Sequence, residues 1–334
     1  MANVRLSTIR GTGVAASCCA HLLGNAGFRV CLAESPRPRI PAILVSEAAQ
    51  ALLRDVFGRP NLFDGLFRID RRTVAWEPGS PPVTLPHQAV VISEEELLEL
   101  LRPERDESAP ADVAGWTVYT SRPLPESVEQ HRFGTRTASL VPVELKDAGP
   151  PACWIEALEC GWLFLIPTSP AGGWLISIGG PHEVLLAESR LIADRVAVSG
   201  PAGATFPAYP AITDPLCAPG WLACGAAALS FDPLCGDGTG NAVREAILAS
   251  AVIRAATAED NVDRLLSHYR SRLTAGFARH LELCRGFYIS GHRGPWWEQE
   301  IASLEEGIAW CRQVLGAGNV FHYRLSGFEL QAIK

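Results

Sequence analysis

Two glycine-rich segments, more than 200 residues apart, carry the residue types best suited to holding a ligand. The first is Gly11-Thr12-Gly13-Val14-Ala15-Ala16, after the short apolar run Val4 to Ile9. The second runs Gly225-Ala-Ala-Ala-Leu-Ser-Phe-Asp232-Pro233-Leu-Cys-Gly236-Asp237-Gly238-Thr239-Gly240-Asn241, after the apolar run Trp221 to Cys224. Each leads from a strand-like run into a helix-like one. The first turn of a helix has backbone N–H groups without intrahelical partners, and together with the helix dipole they suit an anionic or electron-rich ligand. The pair predicts one ligand gripped by both ends of the chain.

The elements around the first segment make it specific. Val14 to Leu23 has helical apolar spacing and ends near Gly24 and Gly27, and Phe28 to Ala33 reads as a second buried strand followed by Glu34. This is a βαβ unit carrying a Gly-x-Gly-x-x-Ala turn. Gly11 permits the tight turn, Gly13 lets backbone approach a pyrophosphate, and the small Ala16 lets helix pack on strand. Val14 and Ala15 open the helix, and Glu34 is placed to accept hydrogen bonds from an adenosine ribose. A βα turn without a ligand is the plainer alternative, and this unit alone does not separate NAD from FAD.

Composition narrows the function classes. With 334 residues, 48% hydrophobic and 19% charged, the chain reads as ordinary globular protein. A formal charge of −7 argues against a nucleic-acid partner. Ten cysteines with no CxxC pair and no secretory leader are read as reduced thiols in a cytoplasmic protein, with no metal site indicated. The longest uncharged stretch, Gly161 to His182, is interrupted by Pro167, Pro170, Gly172 and Gly173, so a β-hairpin is expected there and no membrane span.

Helices are expected over Ser46 to Phe57, closed at Gly58, over Ser93 to Leu101 with Ser93 as N-cap, and over His182 to Val198. Val74 to Trp76 and Ala89 to Ile92 read as strands joined by a proline-rich loop that carries His87. Trp116 to Thr120 is strand-like. Leu140 to Leu145, Cys153 to Leu158, Trp162 to Ile166 and Trp174 to Ile178 suit an antiparallel sheet covering a ligand. Arg244 to Lys334 reads as mostly helical, with breaks near Thr257 to Asp260 and Gly291 to Pro295.

The second glycine segment resembles the Gly-Asp-Ala, Asp-Pro and Gly-x-Gly signature of the flavin-dependent monooxygenase superfamily. That superfamily holds p-hydroxybenzoate hydroxylase-like enzymes, geranylgeranyl reductases and tryptophan halogenases. The resemblance implies an α/β fold: a Rossmann-like FAD-binding domain, an antiparallel-sheet substrate domain and a C-terminal helical region. The expected division is 1–70, 93–125 and 205–260 for FAD, 71–92 and 126–204 for substrate, and 261–334 for the helical region. It implies FAD contacts at Gly225, Asp232, Pro233, Gly236, Asp237, Gly238, Thr239 and Gly240. One departure stands out: the aspartate expected after Gly225 is Ala226, which removes a charge-assisted hydrogen bond to the ribityl chain, about 1.5 to 3 kcal/mol. Asp232 and Asp237 are the candidates to replace it.

Trp162-Leu-Phe164-Leu-Ile166-Pro167 looks like the Trp-x-Trp-x-Ile-Pro motif of flavin-dependent halogenases, although a buried strand has the same alternation. Those halogenases rely on a lysine beside the substrate channel. Lys146 and Lys334 are the only lysines here, and none occurs before Leu145, which argues against halogenation. A narrower resemblance is to the small FAD-dependent proteins that mature tryptophylquinone enzymes. Pro41 to Ser46, Pro86 to Glu94, Phe133 to Arg136, Gly161 to Ile166 and Phe231 to Ala246 carry it.

It implies an FAD-dependent monooxygenase that hydroxylates an electron-rich aromatic group, a tryptophan side chain in a precursor polypeptide. Electrons would come from NAD(P)H or a partner flavin reductase, since no second nucleotide fingerprint is present. The flavin does the oxygen chemistry, so no acid–base triad is required and no catalytic residue is assigned. Trp162 and Phe164 are candidates for the wall facing flavin and substrate. His87 is the histidine to test, against a solvated loop residue. Arg136 is expected in a surface salt bridge, and Trp296-Trp297 either packs on the main domain or anchors a partner. A reductase of the geranylgeranyl type and a non-catalytic escort with a flavin fold are the alternatives.

Overall fold

The computed structural model describes residues 5–33, 35, 37–102, 115–147, 149–203, 205–235, 237–258, 261–316 and 321–333. Its first sheet is assembled from segments as much as 200 residues apart. Leu6–Arg10 sits between Arg29–Ala33 and Trp116–Tyr119, all parallel, and Trp221–Ala223 continues the parallel order before an antiparallel edge, Cys217–Ala218. Parallel neighbours need crossovers, and helix Val14–Asn25 supplies the first, as the spacing of its apolar residues predicts. Trp221–Ala223 thus brings the second glycine segment to the same sheet end as the first.

The second sheet is larger. Its order runs Val196–Val198, Thr137–Leu145, Gly172–Ile178, Gly161–Pro167, Ala152–Leu158, Arg68–Ala75, Val83–Ile92 and Ile43–Ser46, with Phe206–Pro207 also paired to Thr137–Leu145. Ala152–Leu158 and Arg68–Ala75 run parallel and the other neighbours antiparallel. Gly161–Pro167 and Gly172–Ile178 form the expected hairpin, and no helix of the described residues is long and apolar enough to cross a membrane. In Gly161–Pro167, Trp162, Phe164 and Ile166 join the main core, whereas Leu163 and Leu165 join a smaller one on the opposite face. That division is the two-residue period of a strand buried on both faces.

Several local features follow the sequence closely. Ser46 caps helix Glu47–Phe57 by accepting from the Ala49 N–H, and Gly58 closes it in the left-handed region at φ 62°. Ser93 and Glu96 form a reciprocal capping box on Glu94–Leu100.

Three expectations need correction. His87 is not in a loop. It lies within strand Val83–Ile92, where a register shift between Ile69 and Arg71 of the partner strand admits Pro86, which has no N–H to offer the ladder. The helix expected from His182 to Val198 stops at Glu188. Buried Glu156 captures the following turn there: its carboxylate accepts from the Ser189 hydroxyl and from the N–H groups of Arg190, Leu191 and Ile192. The C-terminal third is helical over Gly238–Ala256, Val262–Ser290 and Pro295–Gly316. It then ends in a β-hairpin, Tyr323–Ser326 with Glu329–Ala332, turned at Gly327 with φ 59°.

Glu156→Ala should leave the Arg190 and Leu191 N–H groups and the Ser189 hydroxyl without their acceptor, while the Ile192 N–H keeps Ser189 Oγ. At about 1 kcal/mol or more for each buried orphan, urea unfolding is expected to show a loss of roughly 3 kcal/mol. Glu156→Gln, which keeps one acceptor oxygen, should lose about half as much.

Candidate functional site

The two glycine segments meet. Gly225, at φ 60°, lies so close to the first helix that a Cβ on it would stand 2.7 Å from the Cβ of Ala15. Only a glycine facing a small residue allows that approach. Gly11, at φ 115°, is pressed as tightly against the loop after Tyr119, where a Cβ would fall 2.3 Å from Ser121 Oγ and 2.7 Å from its backbone nitrogen. Gly13, at φ 121°, has more room: a Cβ there would meet only Arg37 Nη2 at 3.1 Å and Glu94 Oε1 at 3.8 Å.

Between the segments lies a cavity of about 380 Å³, within the usual size of a ligand site. The first segment contributes Thr12, Gly13, Val14 and Ala15, and the second Gly225, Ala226, Asp232, Pro233, Gly238 and Thr239. The large sheet supplies an apolar wall through Phe164, Ile166 and Ile176, and Arg37, Glu94 and Glu245 are the charged residues that complete the lining with Asp232. Ala16 is buried behind the cavity, Gly11 supports its rim, and Gly240 packs against Asp237. Glu34 and Gly236 lie outside the described residues.

Two helices start at this cavity, Val14–Asn25 and Gly238–Ala256. Neither has a side-chain cap or an acidic residue in its first turn. By contrast, Ser46, Ser93 and Asn261 cap the helices that begin at Glu47, Glu94 and Val262. Helix His182–Glu188 also lacks a side-chain cap but carries Glu183 in its first turn, so among the described residues the α-helix starts with neither cap nor acid are the two at the cavity, where a ligand would use their N–H groups.

The carboxylates are arranged differently from expectation. Asp232 is 1% exposed and fully engaged: Oδ1 accepts from Leu234 N–H, while Oδ2 accepts from the Tyr288 hydroxyl at 2.9 Å and pairs with Arg136 Nε at 2.9 Å. Asp237 pairs with Arg244 at 2.6 Å. Arg136 is no surface residue. It is 2% exposed, pairs also with Glu300, and lies 4.8 Å from the centre of the Tyr288 ring. Two carboxylates and an aromatic face repay the desolvation that a lone guanidinium would suffer there. The Asp232-Pro233 turn is thereby tied to helices Val262–Ser290 and Pro295–Gly316 at once.

Trp162 belongs to the same assembly. It is fully buried and donates its indole N–H to the Tyr288 hydroxyl at 3.2 Å, so it stands behind the wall that Phe164 presents. Trp297 is fully buried and donates to the carbonyls of Leu158 and Glu159, which settles its part of the Trp296-Trp297 pair as packing. His87 does not reach the cavity. Its Nε2 lies 2.9 Å from Arg72 Nη2, and burial together with that guanidinium brings its pKa down to about 4.

Sequence reasoning missed Glu245 and the Arg37–Glu94 pair. Glu245 is 6% exposed, accepts from Gly225 N–H at 2.8 Å and reaches the cavity beside Ala226. Its place seven residues into helix Gly238–Ala256, two turns along the face that meets Gly225, was the available signal. Arg37 and Glu94 are 57 residues apart, and no local pattern links them. Glu94 also accepts from Ile40 N–H, which fixes the chain after the second strand against the cavity rim.

The sequence matches no protein-family model and no curated protein sequence. Its structure is similar to that of CmlS, a flavin-dependent halogenase, with a TM-score of 0.80 at 15% identity, covering 99% of this chain and 84% of that one. It is similar to QhpG, a peptidyl tryptophan dihydroxylase essential for tryptophylquinone cofactor biogenesis, with a TM-score of 0.72 at 19% identity over 89% of this chain and 79% of QhpG. Klebsiella pneumoniae HpxO, solved with FAD and uric acid, gives 0.63 at 14% identity over 93% and 94% of the two chains.

Burial pushes the Glu245 carboxyl up to about 8, with the Gly225 N–H pulling the other way. The folded chain then holds a proton that the unfolded chain releases above about 4.5. Stability is accordingly greatest below that value, falls as pH rises towards about 8, and levels off beyond. Glu245→Gln should flatten this part of the profile, as read from urea midpoints at about pH 5, 7 and 9. With its parallel sheet, its large mixed sheet and its C-terminal helices, the chain has the fold shared by flavin-dependent halogenases and the dihydroxylase QhpG.

Proposed function

We propose that this protein binds FAD and uses it to hydroxylate an electron-rich aromatic group, a tryptophan side chain of a polypeptide. The observation that carries the reading is the convergence of two uncapped helix starts, Gly13-Val14 and Gly238-Thr239, on one cavity. The likeness to QhpG supports the substrate class.

The residues present fit the cofactor. Gly13 leaves the space and the N–H groups that a pyrophosphate needs, with Arg37 beside it as a counter-charge. The start of Gly238–Ala256 would stabilise negative charge at the flavin end. When bound, reduced FAD supplies activation of dioxygen and transfer of an oxygen atom to the ring. Phe164, Ile166 and Ile176 exclude water and present a flat apolar wall to the rings. The Arg136–Asp232–Tyr288 bonds hold the Asp232-Pro233 turn in place beneath them. His87, outside the cavity and neutral near pH 7, takes no proton in this scheme. Electrons come from NAD(P)H or a partner flavin reductase.

Ala226 projects into the cavity without a carboxylate, and Asp232 and Asp237 are both engaged elsewhere. FAD is therefore held less tightly than a Gly-Asp sequence would hold it. Halogenation is the second reading, favoured by the likeness to CmlS. Against it, no lysine among the described residues lines the cavity, and Lys146 bonds instead to the Ala193 carbonyl.

Titration with FAD, followed by flavin fluorescence, should saturate for the wild type and fail for Gly225→Val, which drives a branched side chain into Ala15. Ala226→Asp should tighten binding by about tenfold to a hundredfold, the equivalent of one charge-assisted hydrogen bond. No flavin binding by the wild type would sink the proposal. Mass spectrometry of a co-expressed tryptophan-bearing polypeptide separates the activities: added oxygen supports hydroxylation, added halogen supports the second reading, and an unmodified stable complex points to an escort.

A further inference from the structure

A second concavity, about 750 Å³, lies back to back with the cofactor cavity, and Leu229, Phe231 and Glu245 line both. Helices Glu47–Phe57, Gly238–Ala256 and Val262–Ser290 form its walls, and the C-terminal hairpin closes one end through Leu325 and Phe328. None of the chemistry assigned above uses it.

Its lining has a definite character. On helix Val262–Ser290, Arg272, Gly276, Arg279 and Leu283 fall on one face at helical spacing. Gly276 opens that face: a Cβ there would find only Arg279 Nη2 within 4 Å, at 3.8 Å. Arg272 and Arg279, about 10 Å apart along the axis, are both exposed and have no ion-pair partner among the described residues. Arg272 instead rests 5.5 Å from the ring centre of Phe321. The acids that line the groove offset this little, since Asp237 is already paired with Arg244, leaving Asp55 on the far wall and the buried Glu245. A chain with formal charge −7 thus offers, at this place, two arginines without an ion-pair partner among the described residues.

The rim is apolar as well as cationic. Leu283, Phe321 and Leu325 are 53%, 41% and 41% exposed, and Phe287, one turn beyond Leu283, is 43% exposed. Phe321 and Leu325 stand at the hairpin end of the groove and Leu283 and Phe287 towards the other, so exposed apolar side chains flank the arginines along its length, the pattern of a surface that meets another macromolecule. A small anion would need the arginines but not these side chains. We infer that the groove docks an acidic, apolar segment of a polypeptide, seating its apolar side chains between Leu248 and Leu283 and its carboxylates on Arg272 and Arg279. The inference rests on the proposed reaction for its purpose, because it makes this segment part of the polypeptide whose tryptophan is presented to the neighbouring cavity.

Selection of a random 16-residue peptide display library on the full chain tests it without turnover. Enriched peptides should combine Glu or Asp with Leu, Ile, Phe or Trp. Their binding, read by fluorescence anisotropy, should vanish in Gly276→Trp, which fills the groove, and weaken about tenfold or more in the Arg272→Ala/Arg279→Ala double variant. FAD titration should be unchanged in both variants, which shows that they are folded. Enrichment of basic peptides, or peptide binding indifferent to Gly276→Trp, overturns the proposal. So does NADPH or dodecanoate binding that Gly276→Trp abolishes while peptide binding survives, since the groove would then serve a small molecule. Because the FAD titration is a separate readout, loss of the flavin reading is distinguishable from loss of the docking site.

Discussion

The contact between Ala15 and Gly225 is the constraint on which the rest of the molecule depends. It brings two helix starts more than 200 residues apart in a 334-residue chain to one point. Packing that tight is possible because neither residue carries more than a methyl group, and because φ at Gly225 lies where other residues are strained. The parallel pairing of Trp221–Ala223 with Trp116–Tyr119 sets the height of the second segment, and Glu245 fastens it from below through the Gly225 N–H. A larger side chain at either position would separate the two donor sets, and the cavity would lose its two-sided grip.

The second half of the site is held by buried charge. Arg136 comes from the strand side, Asp232 from the cavity rim, and Tyr288 and Glu300 from two C-terminal helices. Such a network adds little net stability compared with apolar packing of the same volume, but breaking one member leaves uncompensated charge in the interior. Its contribution is to position. The Asp232-Pro233 turn has one arrangement that satisfies every partner, so the C-terminal helices fix the shape of a cavity they scarcely line.

Legibility in the sequence followed the range of the forces involved. The βαβ unit, the caps at Ser46 and Ser93 and the alternating strands from Thr137 to Ile178 depend on neighbours within a few residues, and the sequence shows them plainly. The cavity at the two helix starts was legible as two separate glycine signals, each leading from a strand-like run into a helix-like one. Arg136, Glu245 and the Arg37–Glu94 pair were not, because their roles come from partners 57 to 164 residues away or from burial that no local pattern announces. The early end of the His182 helix has the same origin, since Glu156 on a distant strand competes for the backbone N–H groups that would have continued it. Pro86 was read as a loop marker because the register shift opposite it is a property of the partner strand.

The uncapped helix starts have one more consequence. Donors that the helices beginning at Glu47, Glu94 and Val262 satisfy with serine or asparagine are here left to whatever occupies the cavity, so a bound ligand would complete the hydrogen bonding of the fold itself. Any ligand that binds the native chain and not the unfolded one shifts the balance between them by mass action. On the proposed reading the fraction of folded chain would rise with the concentration of FAD.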